Sequence, residues 1–257
     1  MRIGVCAVPE KIARPPEGLD YVEGAVADVL RPREGEAAFA DRLAALKAAP
    51  LPVEAVNCLL PGELKTTGPD ADAEAAAAYV ATVCRRARRA GVRRIVFGSG
   101  GSRQVPEGFD RARASEQLIE RLKRWGPLAG EAGVTIVIEP LCRADCNIVN
   151  TVGEAVELAR AADHPAVRVL ADTYHMGRDG DPPAAIRDAG DLLAHAHCAE
   201  ADGRGPLRPD GEDQRPCFRA MKDAGYDDRV SLECRWDDLG RQLAAAVEEL
   251  RRQIETA

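Results

Sequence analysis

The chain has 257 residues, 42 acidic against 35 basic side chains, and a formal net charge of −7. That balance argues against nucleic acid as a main partner. No apolar run reaches membrane-spanning length, which argues against a membrane-embedded chain.

Hydrophobic residues make up 46% of the chain, enough for a sizeable core, and the length suits a single (β/α)8 barrel over residues 1–257. The opening MRIGVCAVPE is strand-like and broken early by Pro9, unlike a secretory h-region. The eight cysteines are scattered without a CxxC pair. They read as small buried hydrophobes in a reducing cytoplasm, with Cys142 and Cys146 as soft metal ligands the lesser alternative. The basic run RRARRAGVRR, residues 85–94, reads as a solvated helix end rather than a phosphate-binding patch.

In chain order, RIGVCA (2–7) predicts strand one and DYVEG (20–24) a weaker strand two ending near Glu23. A helix is expected from Gly35 to Ala48, then strand three from Val53, its end carrying Asn57. An Ala-rich helix over 71–90 closes at Gly91, and strand four spans 93–98. The loop GSGGSRQVPEG (98–108) reads equally as a ligand contact and as a plain turn; it could cradle a phosphate with Arg103 beside it. A helix over 110–132 leads to strand five, TIVIEP. The next helix starts at Thr151, with Glu154 completing a capping box. Strand six is VRVLAD, followed by a turn to His175, a short helix at PPAAIRDAG, and strand seven, LLAHAHC. The polar stretch 201–215 reads as a lid or a surface loop, before a helix at CFRAMKDAGY, strand eight, VSLEC, and a closing helix from Asp238 to Glu255. Eight strands alternating with helices predict a closed parallel barrel, with a doubly wound sheet as the runner-up.

Four consecutive strands each end in one donor: Glu139, Asp172, His197 and Glu233, separated by 33, 25 and 36 residues, about one βα unit each. Side chains at i and i+2 share a strand face, so Glu139 lies with Thr135 and Val137, His197 with a deeper His195, and Glu233 with Ser231. Buried carboxylates are costly unless paired or metal-bound, so convergence on one divalent ion is the expected arrangement. Three oxygens and one nitrogen suit Mn²⁺ first, with Mg²⁺ or Co²⁺ as alternatives and Zn²⁺ behind them.

IEPLCRADCNIVNT, ADTYHMG, HAHCAEADGRG and SLEC, in that order and spacing, resemble the sugar phosphate isomerase/epimerase family with a xylose-isomerase-like TIM barrel. Within it, the D-tagatose 3-epimerase and hydroxypyruvate isomerase branch is most similar. The resemblance implies that Glu139, Asp172, His197 and Glu233 hold one divalent metal. It implies that His175 touches a substrate carbonyl or hydroxyl, that Asp145 stands where epimerases have a supporting glutamate, and that Arg143 is the arginine after the metal glutamate. The family's substrate-contacting arginine falls on Gly203, so Arg204 requires a bulge or points elsewhere.

These expectations describe a cytoplasmic, metal-dependent isomerase or epimerase of a ketose or small hydroxy-keto compound, working through an enediolate with Glu139 and Glu233 as paired proton carriers. Its partner would be a small sugar or keto acid, with a homo-oligomer left open. The alternatives are a dehydratase of a cyclic polyol ketone and a non-catalytic sugar-binding barrel. A three-zinc repair endonuclease is disfavoured, because the chain has four histidines and none before His164.

Overall fold

The computed structural model describes all residues, 1–257. The eight strands are β1 (Arg2–Cys6), β2 (Tyr21–Ala25), β3 (Val53–Asn57), β4 (Arg94–Phe97), β5 (Thr135–Ile138), β6 (Val167–Asp172), β7 (Leu193–Cys198) and β8 (Arg229–Leu232). They form a closed barrel in sequence order, every neighbouring pair parallel and β8 returning to β1. The helices are α1 (Val26–Val29), α2 (Glu36–Ala48), α3 (Ala73–Ala90), α4 (Gly100–Arg103), α5 (Arg111–Ala132), α6 (Val152–Ala162), α7 (Thr173–Asp179), α8 (Pro183–Ala189), α9 (Arg215–Asp223) and α10 (Leu239–Glu255). No helix is long and apolar enough to cross a membrane.

Local chemistry sets the long helices. Asp72 caps α3 by accepting from the Ala75 N–H at 2.9 Å, and Gly91 closes it at φ +79°. Asp110 and Gly133 do the same for α5. Thr151 caps α6, but Glu154 accepts from the Asn150 N–H at 2.5 Å, one residue before the position a capping box requires.

Strand alternation divides the apolar residues. Ile136 and Ile138 face the helices, while Val96, Val137 and Leu170 form a small apolar layer inside the barrel. Above that layer the interior turns polar, and this is the C-terminal rim where all eight strands end. Trp125 of α5 meets Phe97, the last residue of β4, edge-on at 5.3 Å and holds that rim from outside.

Three expectations need correction. Arg86, in the basic run read as solvated, is buried: it bonds the Leu30 and Glu34 carbonyls and Glu36 and lies 4.7 Å over the Phe39 ring. It ties the segment before α2 to α3. Arg103 is also fully buried, its guanidinium donating to the Phe97 and Glu139 carbonyls at 2.8 and 2.5 Å. It braces the rim and has no free face for a phosphate. Cysteine burial holds for Cys84, Cys142, Cys146 and Cys198, whereas Cys6, Cys217 and Cys234 are half-buried and Cys58 is exposed; all eight are free thiols.

The loop from residue 201 to 214 is fastened at both ends. Glu212 accepts from the Ala201 and Asp202 N–H groups, and the Gln214 side chain donates to the Ala199 carbonyl. Leu207 is buried in the core.

Candidate metal centre

Glu139, Asp172, His197 and Glu233 come together at the rim, one donor atom from each lying within 4.8 Å of the others. Each follows from its strand. Glu139 and Glu233 are the residues just past β5 and β8, Asp172 ends β6, and His197 sits opposite Asp172 in the β6–β7 register. A Cβ at Gly98 would lie 1.9 Å from Glu139 Oε2, so a residue without a side chain makes the space for that carboxylate.

Asp172 does two jobs. Its Oδ1 caps α7, accepting from the Tyr174 N–H at 2.8 Å, which leaves Oδ2 for the centre. What the sequence presented as a turn before His175 is therefore the first turn of a helix. His175 is buried, and its Nδ1 accepts the Cys142 N–H at 3.1 Å. The imidazole proton then resides on Nε2, 3.6 Å from Asp172 Oδ2, too far to be consumed by it.

Arg204 reaches the centre. Gly203 and Arg204 both have positive φ, +68° and +56°, so the chain bulges at the point where the family spacing is offset. The guanidinium lies 2.5 Å from Glu233 Oε2, 3.4 Å from Asp172 Oδ2 and 4.6 Å over the Tyr174 ring. Asn57 donates to Glu233 Oε1 at 3.2 Å. Asp145 is half-exposed with Oδ2 3.8 Å from His175 Nδ1, at the edge of the centre. Arg143 does not join it: its side chain is 63% exposed and bonds Asp179 at 2.9 Å.

A group not singled out from the sequence lies beneath. Glu23, fully buried, puts Oε1 at 2.9 Å from His197 Nε2 and Oε2 at 2.8 Å from His195 Nε2. Ser231 Oγ donates to Oε2 at 2.7 Å and lies 2.8 Å from the Tyr21 hydroxyl. The available signal was His195 itself, since an imidazole buried inside the barrel calls for an acid elsewhere on the interior face.

The donor set fits a divalent cation. His197 Nε2 faces Glu23, so Nδ1 faces Glu139 Oε1 at 3.1 Å and Glu233 Oε2 at 2.8 Å. A nitrogen lone pair directed at two carboxylates requires a positive charge between them, either a proton or a metal ion. The titration tendencies reflect this crowding. Burial and the Glu233 charge raise Glu139 above the usual carboxylate range. Burial also opposes ionisation of Glu233, but His197 and Arg204 outweigh it and pull that group down. Burial disfavours a charged His197, yet Glu23 and Glu233 push it well above an ordinary imidazole. A divalent ion would relieve the same repulsion.

Comparison with known proteins agrees with the fold. The xylose isomerase-like TIM barrel family matches residues 17–256, and the chain belongs to it. It is similar to D-psicose 3-epimerase of Ruminiclostridium cellulolyticum, 32% identical over 122 residues that cover 46% of this chain and 40% of that protein. It is also similar to 3-dehydroshikimate dehydratase of Pseudomonas putida, 39% identical over 86 residues, 33% of this chain and 13% of that one. The chain thus spans well under half the length of these curated relatives. Among solved structures, D-allulose 3-epimerase from Methylomonas sp. superposes with a TM-score of 0.82, covering 98% of both chains at 20% identity.

Proposed function

We propose that this chain is a divalent-metal-dependent isomerase or epimerase of a ketose or small hydroxy-keto compound. The observation that carries the reading is the meeting of Glu139, Asp172, His197 and Glu233 within 4.8 Å at the barrel mouth. These four residues would hold one divalent ion, and the donor set favours Mn²⁺, with Mg²⁺ or Co²⁺ as alternatives. When bound, the ion would supply Lewis-acid polarisation of the substrate's carbonyl and adjacent hydroxyl oxygens.

The protein's own groups do the rest. Glu139 and Glu233 extend from β5 and β8, well separated around the barrel, so one removes the proton from the carbon next to the carbonyl and the other returns it. Return to the opposite face of the same carbon is epimerisation, and return to the neighbouring carbon is isomerisation. His175, protonated on Nε2 and without a protein acceptor within hydrogen-bond distance of that atom, donates to the oxygen that gains charge. Arg204, stacked on Tyr174, neutralises Glu233 and Asp172 and lines the approach. Asp145, with Oδ2 3.8 Å from His175 Nδ1, stands at the rim to accept from a substrate hydroxyl. Arg143, turned toward Asp179, bonds that carboxylate outside the four-donor cluster.

The stretch similar to 3-dehydroshikimate dehydratase supports a second reading, in which proton removal is followed by loss of hydroxide from a cyclic polyol ketone. One experiment separates the two. Incubation with a ketose panel and Mn²⁺ in deuterated water should put deuterium into recovered sugar at the carbon beside the carbonyl. An ultraviolet-absorbing unsaturated ketone would instead identify a dehydratase. No exchange and no new product from a metal-loaded protein would count against both.

A further inference from the structure

We propose that Glu23 is a positioning residue for the metal centre: it fixes the imidazole of His197 with its proton on Nε2, leaving Nδ1 as the atom offered to the ion, and its charge strengthens that nitrogen as a ligand. This rests on reading the barrel mouth as a cation site.

The hydrogen-bond roles follow from one constraint. Two imidazole nitrogens and one hydroxyl lie within 2.9 Å of the two Glu23 oxygens, and a carboxylate serving three such neighbours accepts from each. Its three partners must therefore all donate. His197 gives its Nε2–H to Oε1 at 2.9 Å, and His195 gives its Nε2–H to Oε2 at 2.8 Å. Ser231 gives its hydroxyl proton to Oε2 at 2.7 Å, so its oxygen is free to accept from the Tyr21 hydroxyl at 2.8 Å. The chain of donors ends at Tyr21, whose ring occupies the space over Gly4, where a Cβ would come within 2.2 Å of Cζ. With its Nε2 proton committed to Glu23, the nitrogen that His197 can offer an ion is Nδ1, which faces Glu139 and Glu233.

Stability alone does not account for this network. Leu170, beside His195 in the β6–β7 register, packs with Val96 and Val137 inside the barrel, so apolar residues can occupy the interior. Replacing a buried ionic group with apolar side chains of similar volume is often neutral or stabilising. A fully buried carboxylate directly behind a candidate metal histidine is the arrangement that orients such a ligand and raises its basicity.

Isothermal titration of the purified full-length protein with Mn²⁺ tests the proposal. Glu23→Gln leaves one acceptor oxygen for two imidazoles and a hydroxyl and removes the charge in every orientation. It should raise Kd about 10- to 100-fold. Tyr21→Phe removes a buried hydroxyl in the same layer without touching His197; it should lower Tm while keeping Kd within about threefold of wild type, on the same principle that only the histidine's partner tunes affinity. Unchanged Kd in Glu23→Gln, or an equal loss in Tyr21→Phe, would overturn the assignment. Should Glu23→Gln fail to fold, the wild type decides by ¹⁵N NMR of its histidines with Mg²⁺ bound, where His197 protonated on Nδ1 would refute it. A wild type that binds neither ion contradicts the reading of the mouth itself, whereas normal wild-type binding with an unaffected variant contradicts only the role of Glu23.

Discussion

The two ends of the barrel carry similar residue types and use them in opposite ways. At the N-terminal end, Glu54 and Asp228 each meet arginines fixed by the fold. Glu54 lies 2.7 Å from both Arg2 and Arg229, and Asp228 lies 2.7 Å from Arg94, whose Nε also donates to the Ala194 carbonyl. At the C-terminal end, Glu139, Asp172 and Glu233 converge with a single arginine, Arg204, held on a positive-φ bulge, and with an imidazole between them. The first arrangement is neutralised from within and closes the barrel. The second has more negative charge than its own side chains balance, which is what distinguishes a site from a structural plug.

Substitutions at the two ends should therefore have different consequences. Glu233→Gln should lower turnover about 10²- to 10⁴-fold, the range for a removed acid–base group, while circular dichroism reports an intact fold. Activity close to wild type would remove Glu233 from the chemistry. Adding Mn²⁺ at about a hundred times its Kd should stabilise the wild type by about 2.7 kcal/mol, read as a rise in Tm of roughly 5–10 °C. In Gly98→Ala that rise should shrink, because the new methyl occupies the space of the Glu139 carboxylate. Glu54→Ala should cost about 1 kcal/mol, since Arg229 keeps Asp228 as a partner and the more exposed Arg2 is screened by water. That variant should keep the full Mn²⁺-induced rise, and losing it would mean the two ends are coupled. Arg143→Ala should change stability by less than about 0.5 kcal/mol and leave kcat/KM unaltered, as fits an exposed ion pair with Asp179.

The sequence revealed the parts of this arrangement governed by period and position. Strand alternation placed Val137 inside the barrel and Ile136 outside it, and one donor at the end of each of four successive strands was enough to bring those four together. Glu23 was harder to see. The β2–β3 register shifts between Val22 and Glu23, so regular alternation gives no firm facing for that side chain. Arg86 was misread, and Arg103 left undecided, for a related reason. An arginine in a glycine loop or a basic run resembles an exposed cation, and only the folded chain brings backbone carbonyls around each guanidinium. The one-residue offset of Arg204 was visible, but its resolution depended on two successive residues adopting positive φ, which Gly203 encourages and an arginine rarely does.

The sharpest test is anomalous diffraction at the manganese edge from crystals grown with Mn²⁺. A single strong peak within coordination distance of Glu139, Asp172, His197 and Glu233 is the predicted result. An empty barrel mouth, or manganese bound elsewhere while these four side chains keep only one another for company, would contradict it.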